Sequence, residues 1–156
     1  MKKVLKVIIL LLAIGFVVLQ FFQPQKNLET TSDNDFLSVQ QVPDDVAQIL
    51  KNSCYDCHSN NTRYLWYHRV SPVSWMINNH IQEGKHELNF SDWGSLDLYD
   101  QITNLEEIGR EAKRKTMPLK SYLLMHPKAK LNQEQIDRLE TWTTELGESL
   151  LKKSFE

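Results

Sequence analysis

Apolar residues run unbroken from Val7 to Leu19 and, past Gln20, through Phe21 and Phe22; from Val42 onward they recur at steps of three and four. The first pattern has no polar face, as in a helix that is apolar on all sides. Counted from Val4 it is 19 residues long, close to the ~20 that a helix needs to cross a bilayer. Lys2, Lys3 and Lys6 stand ahead of it, and it ends in Phe21-Phe22-Gln23-Pro24 without a small-x-small cleavage site. Residues 1–22 are therefore expected to form an uncleaved signal anchor, a single transmembrane helix. Basic residues ahead of such a span predict inner-membrane anchoring with the C-terminal domain outside the cytoplasm, on the periplasmic side. Residues 23–41 are polar and aperiodic and read as a flexible tether, which leaves 42–156 as one domain.

Inside 42–156 the period is helical throughout and no alternating strand stands out, so the expected fold class is all-α. Pro43 suits a first turn, with Asp44 and Asp45 at the positive end of the dipole and Val46, Ile49 and Leu50 on one stripe. Ser71-Pro72 opens a second helix whose face carries Val73, Met76, Ile77 and His80, with Gly84 as its expected stop. A third helix, roughly Asp97 to Lys115, repeats Leu98, Ile102, Leu105, Ile108 and Ala112 and ends in Lys113-Arg114-Lys115. The last is signalled most fully: Asn132 with Gln135 makes a capping box, Leu131 can staple onto Ile136, and Leu139, Trp142, Leu146 and Leu150 continue the face.

Charge narrows the function. Four of the 18 basic residues precede Asn27, so residues 27–156 hold 14 basic and 20 acidic side chains, a net charge of −6. Nucleic acid is not an expected partner, because phosphate affinity rests on an excess of Lys and Arg. The same charge suggests a protein partner with a basic docking face.

The two cysteines of the chain, Cys54 and Cys57, stand in Asn52-Ser-Cys-Tyr-Asp-Cys-His-Ser-Asn60 with His58 directly behind the second. A thioredoxin-type disulfide wants a βαβ pattern around such a pair, and a plain disulfide across so short a loop stabilises little. A zinc site would need His80 and His86 as its other ligands, at a separation outside the usual finger spacing, and would leave His58 unexplained. Covalent haem uses all three residues: two thiols for the porphyrin vinyl groups and the adjacent imidazole as proximal iron ligand. Tyr55, Tyr64, Trp66 and Tyr67 crowd the next turn and can shield a macrocycle, while Arg63 and Arg69 are either propionate partners or surface charges.

A second axial ligand is expected from Met117. Pro118 excludes Met117 from the α region, so the preceding helix ends and the thioether lies in a turn. His80 is the alternative, on the apolar face of its helix, and an open sixth position is the third possibility. Met76 and Met125 read as packing residues, His126 lies on a loop before Pro127, and His68 and His86 read as exposed.

The segment NSCYDCHSNNTRYLWYHRVSPVSWMINNHIQEGKHELNFSDW, followed by MPLKSYLLMHPKAKLNQEQIDRLETW, resembles the haem-binding domain family of bacterial, largely Bacteroidetes-type, cytochrome c-like proteins. The resemblance spans roughly Val42 to Trp142. It implies a cytochrome c-like helical fold around one haem c, with Cys54 and Cys57 as thioether sites and His58 as proximal ligand. The leading expectation is a membrane-tethered monohaem electron carrier serving redox partner proteins, with no catalytic residues. The alternatives are a haem enzyme of peroxidase type or a redox or gas sensor, with His80 as the distal group, and a module in which haem only staples the fold.

Overall fold

The computed structural model describes residues 1–30 and 32–155. Its helices, in chain order, are α1 (Lys2–Leu19), α2 (Phe36–Val39), α3 (Asp44–Ser53), α4 (Tyr55–His58), α5 (Val73–Glu87), α6 (Leu98–Arg114), α7 (Lys120–Met125) and α8 (Gln133–Lys153). Short 3-10 turns connect them at Trp66–Arg69, Phe90–Ser95 and Pro127–Ala129. Among the described residues there is no named strand, only an isolated antiparallel bridge between Leu28 and Asn61. The domain is all-α, as the periodicity predicts.

Local signals set the helix ends. The Asp97 side chain accepts from the Asp100 amide at the start of α6, and Lys115 adopts a left-handed conformation (φ 57°) at its end. At α8 the Asn132 side chain accepts from the Gln135 amide while the Gln135 side chain accepts from the Asn132 amide, a reciprocal cap. α6 and α8 pack along most of their length, and their apolar stripes supply Leu105, Ile108, Leu139 and Trp142 to the core. α3 adds Val46, Ile49 and Leu50. One expected boundary moves: α5 passes through Gly84 and ends at Glu87, because Gly84 serves a close helix contact and not a stop.

The stretch expected as a flexible tether, 23–41, is held to the domain at Asn27, Asp35 and Phe36. Phe36 is fully buried and meets Trp93 edge-on at 4.4 Å and Trp142 at 5.9 Å between ring centroids. Asp35, also buried, caps α2 by accepting from the Leu37 amide and accepts the Tyr55 hydroxyl at 2.9 Å. Asn27 is buried too: its Nδ2 donates to the Ser59 carbonyl at 2.7 Å and its Oδ1 accepts from Lys85 Nζ at 2.9 Å. A polar composition marks a linker only when nothing recruits its few apolar side chains, and here Phe36 fills the space between Trp93 and Trp142. Phe36→Ala is therefore expected to destabilise the fold by about 3–5 kcal/mol, read as a lowered denaturation midpoint; a tether residue would leave it unchanged.

The transmembrane expectation for residues 1–22 is overturned. No helix among the described residues is long and apolar enough to cross a membrane. α1 has 18 residues and includes Lys2, Lys3 and Lys6. At ~1.5 Å per residue it falls short of the ~30 Å hydrocarbon layer even with those lysines counted. Single-pass anchoring in the inner membrane is thus not supported, and neither is the periplasmic placement that rested on it. None of the α1 residues is buried, but its C-terminal end is tied to the domain. Gln20 Oε1 accepts from the Ser71 amide at 3.0 Å, and the Phe22 carbonyl accepts from Trp75 Nε1 at 2.6 Å.

Candidate functional site

The α4 turn places the three residues of the CxxCH motif together. The amides of Cys57 and His58 both donate to the Cys54 carbonyl, at 3.1 and 3.0 Å. A single helical turn sets i, i+3 and i+4 on one face, so Cys54, Cys57 and His58 point the same way. They line one cavity of about 720 Å³, within the range of small-molecule and cofactor sites. α5 forms the wall behind them. A Cβ added at Gly84 would lie 2.9 Å from the Cys57 carbonyl oxygen, a distance that only glycine allows.

The tautomer of His58 follows from its partner. Its Nδ1 is 3.0 Å from the Leu88 carbonyl, an acceptor, so Nδ1 carries the proton and Nε2 keeps its lone pair. Burial holds the imidazole below the ordinary histidine range, against the opposing pull of the Leu88 carbonyl. A neutral ring with its second nitrogen fixed on a backbone carbonyl is the usual state of a histidine that ligates iron or zinc.

Cys54 and Cys57 are free thiols. Burial pushes Cys54 up to about 12, with Cys57 adding to the shift, and pushes Cys57 up to about 11, with Asp56 adding. A redox-active pair needs at least one depressed thiol, so the thioredoxin-like alternative finds no support. The zinc alternative also fails on its donors: among the described residues no three His, Cys, Asp or Glu side chains converge on a common point. His86 instead lies exposed beside Glu87.

The rest of the lining is largely apolar and comes mainly from α5, the α6–α7 connection, α7 and the Trp66–Arg69 turn. Met117, expected as the distal ligand, lines the cavity from the turn after α6, and His80 lines it from α5. The structure thus brings the proximal trio and both distal candidates to the same space. Met76 and Met125, expected to be packing residues, are each 47% exposed and lie on the cavity lining. Of the four aromatics expected to shield it, Trp66 and Tyr67 do line it. Tyr55 instead stacks on Phe90 in the core, and Tyr64 accepts the Asn27 amide away from it. Arg63 is engaged with Asp56 at 3.3 Å, and Arg69 faces a separate, smaller cavity near Lys26.

A group of imidazole and phenol rings along this cavity was not legible in the sequence. His68, expected to be exposed, is buried and stacks on Tyr67 at 4.3 Å. His68 Nδ1 lies 2.7 Å from the Leu65 amide nitrogen and 3.2 Å from the Leu65 carbonyl, so that ring nitrogen is engaged with the backbone. His126 is buried as well, stacked on Tyr122 at 4.0 Å and within 3.4 Å of the Tyr67 hydroxyl. The Tyr122 hydroxyl donates to Asp56 Oδ2 at 2.7 Å; burial first, then this carboxylate, raise its pKa. These contacts tie α7 to α4. Only the i, i+4 spacing of Tyr122 and His126 could have hinted at the stack.

No curated protein and no solved structure matches the chain. The model of the haem-binding domain family matches residues 14–145, a span that holds every wall of the cavity, and the chain belongs to that family.

Proposed function

We propose that this haem-binding protein holds one haem c and works as a monohaem electron carrier. The observation that carries the reading is the convergence of Cys54, Cys57, His58 and Met117 on one largely apolar cavity. When bound, haem supplies an iron centre that takes up and releases one electron. Cys54 and Cys57 would hold the macrocycle through thioethers to its two vinyl groups, an addition of S–H across each double bond that needs no oxidant. His58 offers Nε2 to the iron, and the Leu88 carbonyl keeps that nitrogen deprotonated and the ring aimed. Met117 would offer its thioether sulfur as the second protein ligand to the iron. It stands on the turn after α6, separate from the helix that already backs the CxxCH segment, whereas His80 lies one turn before Gly84 on that helix. The apolar walls would keep water from the iron, and Trp66 and Tyr67 contribute to that lining.

The presence of His80 on the same lining favours a second reading, an enzyme or sensor with an exchangeable sixth position, in which His80 would be the distal acid–base group. Extraction with acidified acetone after denaturation separates the covalent claim from family membership. Haem is expected to stay with the chain and stain in a denaturing gel, at one per polypeptide. Haem that leaves entirely with the solvent would end the haem c assignment while leaving the chain a haem binder. Low-spin, six-coordinate iron in both redox states supports the carrier. High-spin iron that binds CO at once supports the second reading.

A further inference from the structure

The net charge of −6 over residues 27–156 points to a basic partner, but the charge beside the cavity has the opposite sign. Residues 112–130 contain six basic side chains and none of the 20 acidic ones. Two of the six are paired: Lys113 with Glu140 at 2.6 Å, and Arg114 with Glu111 at 3.9 Å. Lys115, Lys120, Lys128 and Lys130 are exposed and take part in no ion pair among the described residues.

Three of these lysines have an apolar floor between them. Lys115, Lys120 and Lys130 share a shallow cavity of about 380 Å³ with Leu123, Leu124 and Met117. Leu124 is 82% exposed. Met117 lines both this depression and the large cavity, so its side chain stands between the two. An unpaired cationic rim around an exposed apolar centre has the make-up of a docking surface, in which the apolar part supplies contact area and the rim selects charge.

We infer that the face formed by Lys115, Lys120, Lys130 and Leu124 docks an acidic face of the protein that exchanges electrons with this chain. The proposal rests on the haem reading, because only an iron centre beside Met117 gives this face a reason to be the entry point. Attraction acts over about a Debye length, so the local lysines, and not the distant acidic surface, set the sign felt by an approaching partner.

Two measurements on the full chain test it. In an amide NMR titration with a hexaglutamate peptide, shifts are expected to be confined to residues 112–130 and to vanish in Lys115→Glu/Lys120→Glu/Lys130→Glu. In the haem-loaded protein, oxidation by anionic ferricyanide is expected to slow as salt rises. The triple variant should react at least about tenfold more slowly at low salt, with its absorption spectrum unchanged. Oxidation by a cationic cobalt complex should move the opposite way. Peptide shifts located elsewhere, or rates that ignore the triple variant, overturn the proposal. So does binding to anionic lipid vesicles through these lysines with no response to the peptide. The peptide titration reads the surface whether or not haem is covalent, so a chain that loses its haem to acidified acetone counts against the site reading alone.

Discussion

Met117→Ala is expected to change the iron site while leaving the haem attached. A thioether on ferric haem gives a weak near-infrared charge-transfer band that paired imidazoles do not, and this band should disappear. The reduction potential should fall, because methionine as an axial ligand raises it, and CO should bind to the vacated position. Met117 is half-buried on the turn after α6, where Lys115 has already ended the helix, so the truncation breaks no regular backbone structure. Met76→Ala and Met125→Ala are the controls: both side chains are about half exposed on the same lining and should leave the band in place. His80→Ala should also spare the low-spin spectrum. A silent Met117→Ala together with a high-spin His80→Ala would reassign the distal ligand to His80 and give a carrier of lower potential.

Gly84→Val is expected to cost the site altogether. The position is buried, and even the first atom of a side chain would meet the Cys57 carbonyl oxygen at 2.9 Å and the Cys57 carbonyl carbon at 3.3 Å. Both are backbone atoms of the turn that orients the CxxCH motif, so neither can swing aside as a flexible side chain would. Relief requires α5 to move away from α4, and that withdraws the Leu88 carbonyl that holds His58 Nδ1. Gly84→Ala should lower stability by about 1–3 kcal/mol as an overpacked contact, and Gly84→Val by more, with haem incorporation lost. Thermal melts and haem-to-protein ratios of the purified variants read the two effects separately. A Gly84→Val chain that loads haem fully and melts with the parent would show that α5 does not bear on the motif.

Much of the local organisation was legible because its causes lie within one helical turn. The cap at Asn132, the stripes of α3, α6 and α8, and the shared face of Cys54, Cys57 and His58 all depend on neighbours three or four residues apart. The break at Met117-Pro118 belongs with them, since a proline restricts the residue before it whatever the surroundings. The CxxCH turn suggested haem for a chemical reason: of the chemistries considered, only haem attachment employs both thiols and the adjacent imidazole.

What was missed involves partners far apart in the chain. Phe36 reads as part of a tether because Trp93 and Trp142, which bury it, lie 57 and 106 positions further on. His68 stacks on Tyr67 and His126 on Tyr122, and the two pairs meet through Tyr67 and His126, far apart in the chain. α1 looked long enough to span a membrane when its apolar letters were counted alone; its rise per residue and its three lysines decide otherwise. By itself, then, the sequence determined the four longer helices of the domain, most of their ends and the turn that carries CxxCH, all set by forces that act over a few residues. Only the tertiary structure decided that Asn27, Asp35 and Phe36 belong to the domain, that Gly84 is a contact, and that three unpaired lysines gather beside Met117. Each of these depends on which distant surfaces meet, and no short-range pattern encodes that.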